Sequence, residues 1–102
     1  MSRRVVFSVG SETDLAEIGQ YLTTRFSERN AERYVQRIIR ECLSLALAPH
    51  RGSKRDDVRP GIRTVGFERR ATIIFQVKKD EVLILGVYYG GREIVGEQLD
   101  EG

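Results

Sequence analysis

The chain has 102 residues, of which 40% are hydrophobic and 31% charged, with a formal net charge of +2. This length predicts a single domain over residues 1–102, and the apolar content excludes a disordered chain. No apolar run reaches the roughly 18 to 20 residues that cross a bilayer, so no membrane partner is expected. The chain starts without an apolar signal segment, and its single cysteine excludes an internal disulfide. We therefore expect a small cytoplasmic protein.

One histidine and one cysteine also limit the possible chemistry. A zinc site needs about four ligands, usually Cys or His, and the sequence has no such cluster. The glycine motifs of nucleotide-binding loops are absent as well. His50 follows Pro49 in a basic stretch without a nucleophile motif nearby. The sequence therefore predicts no cofactor, no metal and no catalytic residue of these kinds.

Charge is unevenly distributed along the chain. Residues 49–79 carry nine basic and three acidic groups, whereas residues 80–102 carry one basic and six acidic groups. A basic stretch can contact phosphates or an acidic protein, but it can equally be a solvated loop and hairpin. Because the acidic tail disfavours a nucleic-acid partner, we expect no direct and specific nucleic-acid binding.

A strand and a first helix are predicted at the start of the chain. Residues 4–8 are short, β-branched and aromatic, which is typical of a strand. The helix is expected to start near Ser11, whose hydroxyl can cap it with an acidic residue three positions on. Its apolar positions recur on one helical face; they are Leu15, Ile18, Leu22 and Phe26. Ser27 can end this helix and cap the next, which predicts an antiparallel helical hairpin.

The second helix is expected to run from about Glu28 to Ala48, since proline disfavours helix at the residue before it. Its polar side carries Arg33, Arg37 and Arg40. Leu43 and Leu47 lie outside the predicted core-facing arc. They either form an apolar strip that a partner covers or contact the first helix, and the spacing leaves both alternatives open.

Three strands are predicted for the second half of the chain, after a polar loop over residues 49–60. They cover residues 62–67, 71–77 and 82–89, and short charged turns between them suit hairpins. The last strand is apolar on both faces, which suits a central strand or an edge strand that a partner covers. Residues 91–102 are expected to be a weakly structured acidic tail, with Ile94, Val95 and Leu99 as its anchors.

The element order β-α-α-β-β-β predicts an α+β fold. In the simplest arrangement of this order, the helical hairpin packs on one face of a small antiparallel sheet.

Short motifs along most of the chain occur in an order and spacing that chance would rarely produce. They are Asp14-Leu15 with Ile18 and Tyr21, Ala31 with Ile38, Leu45 with Pro49, Arg51-Gly52, the run 59–63, Gln76-Val77, the run 82–85 and Gly91-Arg92. With these motifs the sequence resembles the ParE branch of the ParE/RelE superfamily of bacterial toxins, over roughly Val5 to Glu93. The fold of that superfamily is the one predicted above.

The resemblance implies a growth-inhibiting toxin that a ParD-like antitoxin holds inactive in a hetero-oligomer. ParE-like toxins poison DNA gyrase, whereas RelE-like toxins cleave mRNA on the ribosome, and the shared fold does not choose between them. Arg92 matches one group of the RelE-like ribonucleases. Thr72 stands where they have an arginine and Gln98 where they have a tyrosine. The resemblance therefore favours gyrase poisoning without a catalytic residue, with a RelE-like endoribonuclease as the alternative.

The resemblance also implies two functional surfaces. Toxicity is expected around the end of the last strand, at Arg63, Tyr88, Tyr89 and Arg92. Antitoxin binding is expected on the helices, at Tyr21, Arg33, Arg37, Arg40, Leu43 and Leu47. Structural roles remain open alternatives, because Arg63 can hydrogen-bond the preceding loop and the helix arginines can form a solvated face. One of Tyr88 and Tyr89 must also point inward, since side chains alternate along a strand.

Overall fold

The structure, a computed structural model, describes residues 3–90 together with Ile94 and Leu99. These residues form two helices and a five-stranded mixed sheet. In chain order the elements are β1 (Arg4–Phe7), α1 (Val9–Arg25), α2 (Glu28–Ser44), β2 (Ser53–Lys54), β3 (Ile62–Phe67), β4 (Ala71–Val77) and β5 (Glu81–Tyr89). The predicted α+β fold, with a helical hairpin against a sheet, is confirmed.

The strand order across the described sheet is β1-β5-β4-β3-β2. β3, β4 and β5 are joined by hairpins and pair antiparallel, as predicted. β1 pairs parallel with β5, with Val5 opposite Val82, which the long connection through both helices and the three intervening strands allows. The sheet is therefore mixed rather than purely antiparallel. β5 is a central strand, which explains why it is apolar on both faces.

Serine hydroxyls cap the starts of both helices. Ser8 Oγ accepts a hydrogen bond from the backbone N–H of Ser11 at 3.0 Å, so α1 begins at Val9 and earlier than predicted. The Ser11 hydroxyl donates back to the Ser8 carbonyl at 2.8 Å and belongs to the first turn. Ser27 caps α2 as predicted, because its hydroxyl accepts from the backbone N–H of Asn30 at 3.0 Å.

The second helix ends at Ser44 rather than at Ala48. Beyond that point three successive backbone amides donate to carbonyls three residues back, which tightens the chain into turns. Leu47 therefore does not continue the helical row that contains Leu43. The loop predicted for residues 49–60 contains the two-residue strand β2, which pairs with β3.

Apolar side chains pack on both faces of the sheet. The larger core lies against the helices and includes Leu15, Ile18, Leu22, Ile38, Phe75 and Ile84. The opposite face carries a second core of Ile62, Ile74, Leu83, Leu85, Tyr88 and Leu99. Leu99 and Ile94, two of the expected tail anchors, pack in this second core. The expectation for Val95 lies outside the described residues.

A β-bulge interrupts the pairing of β4 with β5. Ile74 pairs with Gly86, whereas the next residue, Phe75, pairs with Ile84, so Leu85 has no partner of its own in this register. An extra residue on one strand shifts the side-chain alternation beyond it by one position. The bulge therefore decides which of the last β5 side chains face the helices.

Neither α1 nor α2, the helices of the described chain, has the length and apolarity of a membrane span.

Candidate interaction surfaces

The two tyrosines at the end of β5 lie on opposite faces of the sheet. Tyr89 packs on the helical side, whereas Tyr88 is 3% exposed in the second core. Asp14 of α1 supports this arrangement, because its carboxylate accepts the backbone N–H of Val87 at 3.0 Å, next to the bulge. Both tyrosines are therefore at least half-buried, and Tyr88 is not exposed at the end of β5.

Tyr89 belongs to a cluster of four aromatic rings at one end of the molecule, which we call the aromatic cluster. Tyr34 of α2 lies edge-on to Phe67, with centroids 5.8 Å apart, and to Tyr89, with centroids 5.9 Å apart. Tyr21 of α1 lies 5.9 Å from Tyr89. The cluster thus joins both helices to the ends of β3 and β5.

Arginines surround the aromatic cluster. The Arg25 guanidinium lies 4.6 Å from the centroid of Tyr21, and that of Arg37 lies 5.3 Å from the centroid of Tyr34, both within cation–π range. Arg37 also donates two hydrogen bonds to Glu68 in the β3–β4 turn, at 3.0 and 3.1 Å. This bidentate pair connects α2 to the turn, and the charges of Arg37 and Glu68 neutralise each other.

A cavity of about 450 Å³ opens beside the cluster, between the helices and the β3–β4 turn. Its walls combine apolar, aromatic and basic side chains, among them Leu22, Phe26, Arg33, Tyr34, Arg70 and Tyr89; we call it the arginine–tyrosine cavity. Within residues 3–90, neither Arg33 nor Arg70 has a carboxylate partner. Among the described residues, this cavity therefore presents two positive charges that no carboxylate pairs with.

The Tyr34 hydroxyl is buried and has no hydrogen-bond partner in the described part of the chain. Burial raises the pKa of Tyr34, and the neighbouring Tyr89 and Glu68 raise it further, against the opposing effect of Arg37 and Arg70. All four neighbours line the arginine–tyrosine cavity, as does Tyr34 itself. Because the pKa is raised, the hydroxyl keeps its proton at neutral pH and can donate a hydrogen bond.

Among the described residues expected to carry toxicity, Arg63, Tyr88 and Tyr89 are not brought together in one exposed surface. Arg63 donates hydrogen bonds to the carbonyl oxygens of His50, Arg51 and Gly52, which is the structural role left open above. It lies about 13 Å along β3 from Phe67 and the aromatic cluster, four residues at the usual strand rise. Arg92 lies outside the described residues.

Other arginines of the basic stretch are also bonded within the protein. Arg51 pairs with Glu41 at 2.7 Å and donates to the Ser44 hydroxyl at 2.8 Å. Arg55 pairs with Asp57 at 2.9 Å, and its hydrogen bond lowers the pKa of that carboxyl. Arg59 donates to the Leu99 carbonyl at 2.8 Å, which ties the tail to the sheet.

The residues expected to bind the antitoxin fall into two groups. Arg33, Arg37 and Arg40 line a groove of about 510 Å³ along α2. Leu43 and Leu47 are 50% and 83% exposed, so packing against the first helix, one of the two alternatives, does not cover them. Tyr21 is 45% exposed but belongs to the aromatic cluster. Leu43 lies about 13 Å further along α2 than Tyr34, at the usual helical rise.

Sequence reasoning did not select Phe26, Tyr34, Phe67 or Arg70 as site residues. Phe26 was expected on the core face, but α1 ends before it and the residue is 65% exposed. The strand pairing offered one signal, since Phe67 and Tyr89 both lie opposite Ala71 in the sheet. The placement of Tyr34 against them depends on how the helices sit on the sheet, which periodicity does not determine.

The described residues contain no group of three or more His, Cys, Asp or Glu side chains that could hold a metal ion. Burial raises the pKa of the Cys42 thiol to about 12, so it is not a thiolate nucleophile at neutral pH.

Residues 5–94 match the family model of the ParE toxin of the type II toxin–antitoxin system parDE. The chain belongs to the ParE toxin family. It is similar in fold to a chain from the chromosomal ParDE TA system of P. aeruginosa, with a TM-score of 0.77 and 24% sequence identity. That similarity covers 87% of this chain and 97% of the other. No curated protein matches the sequence. The expectation of a ParE-type toxin of a toxin–antitoxin system is thus confirmed.

Proposed function

We propose that this ParE-family toxin inhibits growth by poisoning DNA gyrase in the cytoplasm and that a ParD-like antitoxin neutralises it in a hetero-oligomer. The observation that carries the proposal is the ParE family match over nearly the whole domain. Poisoning of this kind needs a surface that binds gyrase and disturbs its DNA-cleavage equilibrium, and it asks for no catalytic group on the toxin itself.

The described sheet residues support binding over ribonuclease chemistry. Cleavage of RNA through its 2′-hydroxyl needs a group that activates the hydroxyl and cations that stabilise the phosphate charge. Thr72 stands on β4 where an arginine would be expected, and Tyr88 is buried. The Arg63 guanidinium is bonded to loop carbonyls. None of these three side chains is placed to act on a phosphodiester.

Induction of the chain alone in bacteria tests the proposed target. Incorporation of labelled thymidine and methionine is followed over the first minutes, and we expect DNA synthesis to stop first. Purified gyrase should then accumulate cleaved DNA when the toxin is added. If protein synthesis stops first, the protein is a RelE-like ribonuclease and the gyrase proposal is wrong. If neither stops, the toxic activity itself is contradicted.

The proposed antitoxin contact includes two exposed leucines, Leu43 in the last turn of α2 and Leu47 just beyond the helix. An antitoxin segment that is disordered when free must recover its ordering cost from apolar burial and ion pairs. Leu43 is half-exposed, so Leu43→Glu should weaken antitoxin binding by about tenfold while the thermal midpoint changes little. Gln20→Glu, which adds the same charge at an exposed site on α1, serves as the control. An unchanged dissociation constant for Leu43→Glu would refute this placement.

A further inference from the structure

The arginine–tyrosine cavity has the charge of a site for an anionic group. Arg37 is already paired with Glu68, but Arg33 and Arg70 have no carboxylate partner within residues 3–90. Both line the same cavity of about 450 Å³. Two guanidinium groups around one recess favour a carboxylate or phosphate that accepts hydrogen bonds from both.

The Tyr34 hydroxyl adds a donor that the free protein leaves unused. A buried hydroxyl without a partner costs free energy, because it has lost its bonds to water and gained none. In the described part of the chain no acceptor reaches it. Tyr34 lines the recess together with Arg33 and Arg70, so an anionic group bound there can supply the missing acceptor when the ring shifts to expose the hydroxyl.

The other walls indicate that this ligand group belongs to a protein segment. Leu22 and Phe26 line the recess, and Phe26 is 65% exposed, so an apolar side chain can pack beside the anion. The Tyr34 ring packs edge-on to two rings and Arg25 lies over the Tyr21 ring, so these two tyrosines offer no free face to a stacked nucleobase. A recess of this size admits one or two side chains of a thin segment rather than a flat folded surface.

We propose that the arginine–tyrosine cavity is the subsite for an acidic residue beside a large apolar residue in the toxin-binding segment of the antitoxin. The carboxylate accepts hydrogen bonds from the Tyr34 hydroxyl and pairs with Arg33 and Arg70. The apolar neighbour packs on Leu22 and Phe26. This inference rests on the proposed function, because it takes the antitoxin as the occupant.

The arginine contribution is tested by Arg70→Glu with Arg69→Glu as its matched control. Both residues are exposed in the same turn and the charge change is identical, but only Arg70 lines the cavity. Titration calorimetry with the purified ParD-like antitoxin should give at least about tenfold weaker binding for Arg70→Glu. Arg69→Glu should stay within about threefold of the wild type. Equal losses in the two variants would show only general electrostatic attraction and would overturn the proposal.

The hydroxyl is tested by Tyr34→Phe, with Tyr21→Phe as the control on the exposed rim. We expect Tyr34→Phe to bind the antitoxin about tenfold more weakly, since a hydrogen bond to a charged group is lost. Its thermal midpoint should not fall, because the hydroxyl has no partner in the free protein. Unchanged affinity, or a lower midpoint with unchanged affinity, would overturn the role of the hydroxyl in binding.

Two further outcomes separate this inference from the proposed function. If the wild-type chain does not bind the antitoxin, the proposed neutralisation is wrong and the inference falls with it. If Arg70→Glu keeps full antitoxin affinity but no longer inhibits growth, neutralisation stands and the cavity serves the toxin's target, which overturns the antitoxin as its occupant.

Discussion

Two groups of arginines in this molecule differ in what surrounds them. In the loop over residues 49–60 and at the start of β3, Arg51, Arg55 and Arg63 are bonded to a carboxylate or to backbone carbonyls of the same chain. At the arginine–tyrosine cavity, Arg33 and Arg70 have no such partner within residues 3–90. The loop has more basic residues along the sequence, yet the cavity has more positive charge that a ligand can pair with.

The contrast shows that the density of basic residues along a sequence does not locate a binding surface. Charge-assisted hydrogen bonds to carbonyls and carboxylates use up the donors of the loop and fix its shape. At the cavity the one lining carboxylate, Glu68, is taken by Arg37, which leaves Arg33 and Arg70 without a carboxylate partner within residues 3–90. The loop arginines are therefore parts of the scaffold, and the cavity arginines are candidates for recognition.

The largest expected effect comes from Gly52→Ala, which tests whether the loop is a rigid part of the fold. Gly52 has a φ of +80°, and a Cβ there would lie 2.1 Å from the Thr64 carbonyl oxygen of β3. We expect the free energy of unfolding to fall by about 3 kcal/mol in a urea titration. Gly90→Ala is the control beside the cavity, where φ is +79° and a Cβ meets nothing within 4 Å. There only the left-handed backbone is strained, at about 1 kcal/mol. Equal losses would contradict the steric argument.

Arg63→Met and Arg33→Met compare one arginine from each group directly. Methionine keeps much of the aliphatic stem but removes the donors. Because Arg63 donates to three loop carbonyls, its replacement should lower the free energy of unfolding by about 1–3 kcal/mol. Arg33→Met should change it by less than about 0.5 kcal/mol, since an exposed side chain without a partner contributes little. If the two variants lost the same free energy of unfolding, the distinction between scaffold and recognition arginines would be wrong.

Most of the fold was predictable because local patterns determine it. The apolar spacing at Leu15, Ile18 and Leu22 and the Ser27 cap located the helical hairpin, and charged turns separated β3, β4 and β5 where expected. The parallel partner of β1 and the early end of α2 were not predictable in this way. The first depends on a contact between distant segments, the pairing of Val5 with Val82, and the second on local turns that no apolar period predicts.

The candidate site was less predictable than the fold, and the β5 bulge shows why. Strict alternation along β5 from Val82 would place Tyr88 on the helical face and Tyr89 opposite. The bulge reverses this order, and Asp14 holds it by accepting the Val87 amide from another element. Which side chains meet in the aromatic cluster therefore depends on one extra residue in a strand. The alternation of apolar residues in the sequence does not predict that residue.

The smallest expected effects are those of pH on stability. The loop should respond in acid and the cavity at alkaline pH. In the loop, the Arg55 hydrogen bond lowers the pKa of Asp57 below its ordinary value of 3.8, so the unfolded chain binds the proton more readily. This contribution is present above that value and is lost as the pH falls through the lowered pKa. Asp57→Asn should therefore reduce the loss of stability in acid, as read from urea midpoints between about pH 2.5 and 4.5.

At the cavity the sign is reversed. Burial raises the pKa of Tyr34 above its ordinary value of 10.0, so the unfolded chain releases this proton first as the pH rises. The contribution is complete below about pH 10 and is lost above it, as the folded pKa is approached. Tyr34→Phe has no such proton, so its urea midpoint should fall less than that of the wild type between about pH 9 and 11. Asp57→Asn should follow the wild type over that alkaline range, and Tyr34→Phe should follow it in acid. If Asp57→Asn changed the alkaline range, or Tyr34→Phe the acid range, the loop and the cavity would be energetically coupled. We do not expect this, because the two regions have separate contacts.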